Sequence, residues 1–204
     1  LNMQTWCLAT RNEGKLREFR SLLEPHGYRI VGLKELGLNR EHEETGGTFA
    51  ENARLKALSY STETDLSVLG DDSGLEVDAL GGAPGPLSAR FGGQGASDRA
   101  KVDLLLSRLS HVPWEERSAR FRCVIAIASL RKVVGLCEGV CEGVISLEAR
   151  GRRGFGYDPV FYLPEQQKTM AELTLREKNR LSHRAKAAAR AVELLRRLHR
   201  ELEQ

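Results

Sequence analysis

The sequence predicts a mixed α/β fold, of α/β or α+β type, arranged around one extended mixed β-sheet. Three observations carry this expectation: a strand-loop-helix unit near the N-terminus, helices with apolar residues at 3.6-residue spacing, and a middle segment alternating with a period of two. In order, Thr5 to Ala9 reads as a short buried strand, and after a polar loop Leu16, Phe19 and Leu23 fall on one helix face. Thr48 opens a second helix with a Thr-x-x-Glu capping box closed by Glu51, and that helix runs on through Ala53, Leu55 and Ala57. The apolar run Leu66 to Leu69 reads as a buried strand with Asp71 and Asp72 at its exit. Gly81 to Pro86 is a rigid, turn-rich loop. Asp98 to Leu109 is amphipathic through Val102, Leu105, Leu106 and Leu109, the pattern of a purely structural helix. From Ala119 to Ile145 the alternation of Phe121, Cys123, Ile125 and Ile127, then Val133 to Val144, predicts two or three antiparallel strands. The basic segment Arg176 to Arg200 has a core-facing stripe, Ala188, Ala191, Leu195, Leu198 and Leu202, so its charges read as a solvated helix face. No repeat or low-complexity linker divides the chain, and residues 1–204 read as one domain.

Composition narrows the class. With 204 residues and 41% hydrophobic content the chain can bury a full core. No apolar run reaches the roughly 20 residues of a membrane span, and no signal-peptide layout opens the chain, so a cytoplasmic protein without membrane contact is expected. Cys7, Cys123, Cys137 and Cys141 sit in apolar segments and are expected reduced; the C-x3-C spacing of Cys137 and Cys141 lacks a second ligand pair for zinc. The net charge of +3, from 31 basic and 28 acidic residues, selects no partner.

Five patches carry possible chemistry. Gly70-Asp71-Asp72-Ser73-Gly74 sets two carboxylates side by side, a costly arrangement unless a divalent metal, a Lys or Arg, or a shared proton relieves it; an Asp-rich turn is the plain alternative. Thr10-Arg11-Asn12-Glu13-Gly14-Lys15 lies between a strand and a helix N-terminus, where free N–H groups favour anions, although it lacks the Walker A ending and also suits an ordinary helix entry. Glu43 and Glu44 precede the capped helix and offer a further metal oxygen, and Lys56 shares a helix face with Asn52. Gly151 to Pro159 places Phe155 and Tyr157 among glycines, which suits stacking on a planar ring. Ser182-His183-Arg184 opens the last helix with Lys178 four residues before Ser182. Acids for a metal, an anion loop, cations and an aromatic platform together point to a nucleotide polyphosphate.

These segments, with Glu44-Thr45-Gly46, Glu51-Asn52-Ala53, Gly81 to Gly85 and Ser88-Ala89-Arg90, resemble the inosine triphosphate pyrophosphatase family, the RdgB-type XTP/dITP pyrophosphatases, from about Cys7 to the last helix. The resemblance implies an elongated, two-lobed fold around a long mixed sheet with a central nucleotide-binding cleft, a homodimer, and Mg²⁺-dependent hydrolysis of ITP, dITP and XTP to monophosphate and pyrophosphate. Such an activity clears deaminated purines from the nucleotide pool. By position, Asp72 would be general base and metal ligand, Glu44 a second metal ligand, Asp71 a support and Lys56 a catalytic cation. Thr10, Arg11, Asn12, Glu13, Gly14, Lys15, Lys56 and Ser73 would hold the triphosphate. Phe155 would stack on the base, Gly156, Tyr157 and Asp158 would shape its pocket, and Lys178, His183 and Arg184 would complete recognition.

Two rivals fit less well. Maf-type nucleotide pyrophosphatases share the general fold and reaction, but the segments Phe155 to Asp158 and Ser182 to Arg184 argue against them. A nucleic-acid-binding module using the basic last helix leaves Asp71 and Asp72 unexplained, since carboxylates at a phosphate site need a metal. No nucleic-acid partner is therefore expected.

Overall fold

A computed structural model of the chain describes residues 3–202, with the side chains of Leu198 and Leu202 outside the described residues. It contains β1 (Gln4–Leu8), α1 (Glu13–Leu23), β2 (Tyr28–Gly32), α2 (Phe49–Ser61), β3 (Ser67–Val77), α3 (Asp98–Arg108), β4 (Ser118–Ser129), β5 (Lys132–Ile145), β6 (Phe161–Leu163), β7 (Lys168–Thr169), α4 (Leu175–Leu181) and α5 (His183–Leu202). The strands form a seven-stranded sheet in the order β2-β1-β3-β4-β5-β6-β7. β1 runs parallel to β2 and β3, whereas β5, β6 and β7 pair antiparallel, so the sheet is mixed as predicted.

The chain divides into two compact units, the first comprising the chain up to Asp72, Cys123–Gly139 and the chain from His183 onward. In this unit both sheet faces are covered, which explains why Trp6 to Ala9 is apolar throughout rather than alternating. Trp6 and Leu8 pack with Leu16, Phe19 and Leu23 of α1 and Ala187, Ala188, Ala191 and Leu195 of α5. Cys7, Ala9 and Val68 turn the other way, onto Phe49, Ala53, Ala57 and Tyr60 of α2. β4 divides likewise, with Cys123, Ile125 and Ile127 on the α1 and α5 side and Val124, Ala126 and Ala128 on the α2 side. The capping box that starts α2 is formed by Thr48 and Glu51, while Leu55, read as part of its apolar pattern, is exposed.

The second unit comprises Ser73–Arg122 and Val140–Ser182. Its core gathers Leu75, Val77, Phe121, Ile145, Val160 and Phe161 with Val102, Leu105 and Leu109 of α3. The opposite face of β3 and β4 is polar: Arg120 pairs with Asp78 at 2.6 Å and Arg122 with Glu76 at 3.3 Å, a one-sided sheet with cross-strand ion pairs.

The stretch from Ala119 to Ile145 holds two strands, β4 and β5, within the predicted two or three, turned by Leu130 and Arg131, which both adopt positive φ (48° and 62°) as a two-residue hairpin turn demands. One prediction needs correcting: Asp71 and Asp72 are not at a strand's exit, because β3 runs through them to Val77. The glycines around them serve close packing: a Cβ on Gly70 would lie 2.3 Å from the Ala53 carbonyl oxygen and 2.6 Å from the Ala57 nitrogen, so only glycine lets α2 rest on β3 there.

Candidate active site

Because successive strand residues face opposite ways, Asp71 and Asp72 are neighbours in sequence but not in environment. Asp71 turns toward α1 and α5. Lys15 Nζ lies 2.6 Å from its Oδ2, and the Cys123 thiol donates to Oδ1 at 3.2 Å. Asp72 turns toward α2. Its Oδ1 receives Lys56 Nζ at 2.9 Å, and its Oδ2 accepts from Asn52 Nδ2 at 3.2 Å. The adjacent acids therefore each have their own cation rather than sharing one. Lys56 reaches further, donating to the Asp71 carbonyl at 3.0 Å and pairing with Glu44 Oε1 at 2.9 Å. Lys56 and Asn52 sit one turn apart on α2, which is the face that Gly70 brings close.

Both acids are buried, with relative exposures of 1% for Asp71 and 5% for Asp72, yet their protonation equilibria move apart. Burial pushes Asp71 up, but Lys15 and Arg184 more than reverse this and hold it at about 2. For Asp72 burial prevails over Lys56 and Lys15, with the Asp71 charge adding to it, so its carboxyl titrates above the ordinary value. Burial opposes the charge on Lys56, but Asp72, Glu44 and Asp71 together raise its pKa and keep it an ammonium. Burial and the Asp71 charge hold the Cys123 thiol protonated, as a donor must be. The two carboxyls are thus driven apart, Asp71 held down by its cations and Asp72 raised by burial.

Asp72 and Glu44 lie within bonding distance of one ammonium and supply hard oxygen donors. Among the described residues no group of three or more His, Cys, Asp or Glu forms a metal cage. A two-carboxylate set suits Mg²⁺, which keeps waters and takes its remaining ligands from substrate phosphates.

The other sequence-predicted residues fall into distinct roles. Asn12 caps α1, accepting from the Lys15 N–H at 3.0 Å, and Thr10 Oγ1 accepts from the Asn12 N–H at 3.2 Å; Gly14 lies in the first turn. Glu13 points away, to Lys34 at 2.9 Å. Arg11 also turns aside, its Nη2 donating to the carbonyls of Asn39 and Arg40 at 2.7 and 2.9 Å. His183 is buried at the start of α5, and Arg184 pairs with Glu18 at 2.9 Å, both buried. Ser73, half-buried, begins the second unit's portion of β3.

Within the second unit, Phe155, Gly156, Tyr157, Asp158 and Lys178 form one group. Lys178 pairs with Asp158, and its Nζ stands 5.1 Å from the Phe155 ring centroid. Asp158 Oδ2 also accepts from the Phe155 N–H at 3.0 Å, across a turn where Gly154 has φ 76° and a Cβ would strike that carboxylate. The Tyr157 hydroxyl donates to the Ser88 carbonyl at 2.8 Å. Asp98 accepts from the Gly156 N–H at 2.7 Å, so α3 braces this turn. Sequence reading missed Glu18, Cys123 and Asp98. A charge three residues after Lys15 beside an apolar stripe was a usable signal for Glu18, whereas Cys123 looks like any core residue.

The chain is similar to known proteins over nearly its whole length. The family model described as the Ham1 family matches residues 6–194. A Desulforamulus reducens protein named dITP/XTP pyrophosphatase is 53% identical over 192 residues, covering 94% of this chain and 96% of its own. A Bacillus subtilis protein of the same name is 46% identical, covering 95% and 98%. Among solved structures, a HAM1 protein from Coxiella burnetii superposes with a TM-score of 0.85 at 41% identity, over 96% of this chain and 100% of its own. With near full-length matches in both sequence and fold, the chain belongs to the Ham1 family.

Proposed function

We propose that this chain is a Mg²⁺-dependent nucleoside-triphosphate pyrophosphohydrolase that converts ITP, dITP and XTP to the monophosphate and pyrophosphate. The observation that carries the reading is the Lys56 ammonium held at 2.9 Å by both Asp72 and Glu44, beside the Lys15–Asp71 pair. Carboxylates for a metal and ammoniums for a polyphosphate occur together there. The relatives named dITP/XTP pyrophosphatase support the substrate class.

Asp72 orients the attacking water and accepts its proton, helped by a carboxyl that burial raises. The water oxygen bonds to the α-phosphorus in line, the α–β anhydride bond breaks, and pyrophosphate leaves. Mg²⁺, held by Asp72 and Glu44, would neutralise charge on the phosphate oxygens. Lys56 and Lys15 offset the charge that builds on the leaving group. The loop Thr10 to Lys15, through the N-terminus of α1 rather than the Thr10, Asn12 and Lys15 N–H groups already bonded within the protein, and Ser73 hold the triphosphate. Asp71, an anion down to about pH 2, keeps Lys15 in place.

Phe155 stacks on the base, Gly156, Tyr157 and Asp158 shape its pocket, and Lys178, His183 and Arg184 complete recognition. A donor aimed at purine position 6 donates to the oxo oxygen of hypoxanthine or xanthine and opposes the amino group of adenine, a mismatch that can cost orders of magnitude. The enzyme acts as a cytoplasmic homodimer that removes deaminated purines from the nucleotide pool, with neither nucleic acid nor membrane as partner. No described helix is long and apolar enough to cross a membrane. The test is kcat/KM for ITP, dITP, XTP, GTP and ATP with Mg²⁺, with pyrophosphate and orthophosphate quantified separately. Preference for ITP, dITP and XTP with pyrophosphate as product is expected. Orthophosphate release, or equal use of ATP, would sink the reading.

A further inference from the structure

The segment Leu38 to Gly47, between β2 and α2, is neither helix nor strand, yet side chains hold it along its length. It runs antiparallel to α2. The Gly46 N–H donates to Asn52 Oδ1 at 2.9 Å, Glu44 takes the Lys56 ammonium at 2.9 Å, and the Arg40 carbonyl accepts from the Tyr60 hydroxyl at 2.9 Å. Asn52, Lys56 and Tyr60 are one turn apart each, so one face of α2 is a rail for the segment. At its far end Arg11 Nη2 meets the carbonyls of Leu38, Asn39 and Arg40 at 3.4, 2.7 and 2.9 Å, and Arg11 Nε lies 3.7 Å from Glu41. Arg11 itself stands in a loop fixed by the Thr10, Asn12 and Lys15 bonds.

We propose that Arg11 is a positioning residue that, with Tyr60, clasps this segment against β1 and α2 so that Glu44 is presented beside Lys56 and Asp72. Its Nη2 is committed to backbone oxygens, so Arg11 acts by positioning and not as a phosphate ligand. The three carbonyls converge on one nitrogen, Nη2, so the clasp depends on the length of the Arg11 side chain and its charge. The consequence for metal rests on the reading of Glu44 as a ligand.

The test combines hydrogen exchange of the metal-free, nucleotide-free protein with the Mg²⁺ dependence of ITP turnover. Arg11→Ala should speed exchange at amides 39–47 about tenfold, with α1 and β3 unchanged, and raise the Mg²⁺ concentration for half-maximal rate about tenfold. Tyr60→Phe, which removes a single hydroxyl, should do both more weakly, and Arg11→Lys should recover only part of each. Unchanged exchange in Arg11→Ala would overturn the clasp. So would a rise in nucleotide KM with unaltered Mg²⁺ dependence, the behaviour of a phosphate ligand. Glu44→Gln judges the underlying reading separately. If it leaves the Mg²⁺ dependence unmoved while Arg11→Ala loosens the segment, the metal role of Glu44 falls and the clasp stands.

Discussion

Replacing Asp71 with Asn removes one charge while keeping the shape of the side chain and its capacity to accept from Lys15 and Cys123. In the folded protein the Asp71 carboxyl titrates at about 2 against an ordinary value of 3.8, the net of burial, which raises it, and of Lys15 and Arg184, which lower it. At about 1.4 kcal/mol per unit this separation corresponds to about 2 kcal/mol of stability. The sign follows from proton uptake. Between these two values the unfolded chain binds a proton at Asp71 that the folded chain does not, so stability rises with pH across the window. The contribution is complete above the unfolded value and is lost as pH falls through the folded one. Urea unfolding of wild type and Asp71→Asn, in chelator and without nucleotide, should therefore differ by about 2 kcal/mol at pH 7, and the two curves should converge as pH approaches 2. Because Asp71 is 1% exposed, solvent screening reduces the effect little. Equal stability at pH 7, or a constant offset at every pH, would refute the assignment of Asp71 as a fixed buried anion.

Further outcomes follow from the same geometry. Gly70→Ala places a methyl 2.3 Å from the Ala53 carbonyl oxygen and should cost about 1–3 kcal/mol in thermal or urea unfolding, with loss of turnover as α2 carries Lys56 and Asn52 away. Lys56→Met should lower kcat for ITP by about two orders of magnitude with a smaller change in KM; an unchanged kcat would remove Lys56 from the reaction. Arg184→Ala should narrow the ITP-over-ATP preference and, by leaving Glu18 buried without its 2.9 Å partner, lower stability by about 3 kcal/mol. If only stability falls, Arg184 supports Asp71 and does not read the base. Phe155→Ala should raise the dissociation constant for inosine monophosphate in calorimetry while leaving that for pyrophosphate unchanged; equal weakening of both would detach Phe155 from base binding.

Much of this was legible in the sequence because local signals and tertiary structure agree. The capping box at Thr48 and Glu51 formed as written, and the stripe Leu16, Phe19 and Leu23 faces the core. Reading failed where a residue's meaning depends on what approaches from outside its own segment. Gly70 and Gly74 look like turn residues, but they sit within β3 because α2 and the Ser88 turn press against it there. Arg11 meets the carbonyls of Asn39 and Arg40, 28 and 29 residues along the chain, contacts that nothing in its own loop announces. The adjacency of Asp71 and Asp72 called for relief by a metal, a Lys or Arg or a shared proton, and the structure gives each a lysine of its own on opposite faces of the strand, which local sequence did not specify. The brace from Asp98 to Gly156 spans 58 residues of sequence, and nothing local announces it.

The central claim is that water directed by Asp72 attacks the α-phosphorus. Hydrolysis of ITP in ¹⁸O-labelled water, followed by mass spectrometry of both products, tests it most directly. The account predicts one labelled oxygen in inosine monophosphate and none in pyrophosphate; label in pyrophosphate or in orthophosphate would contradict it.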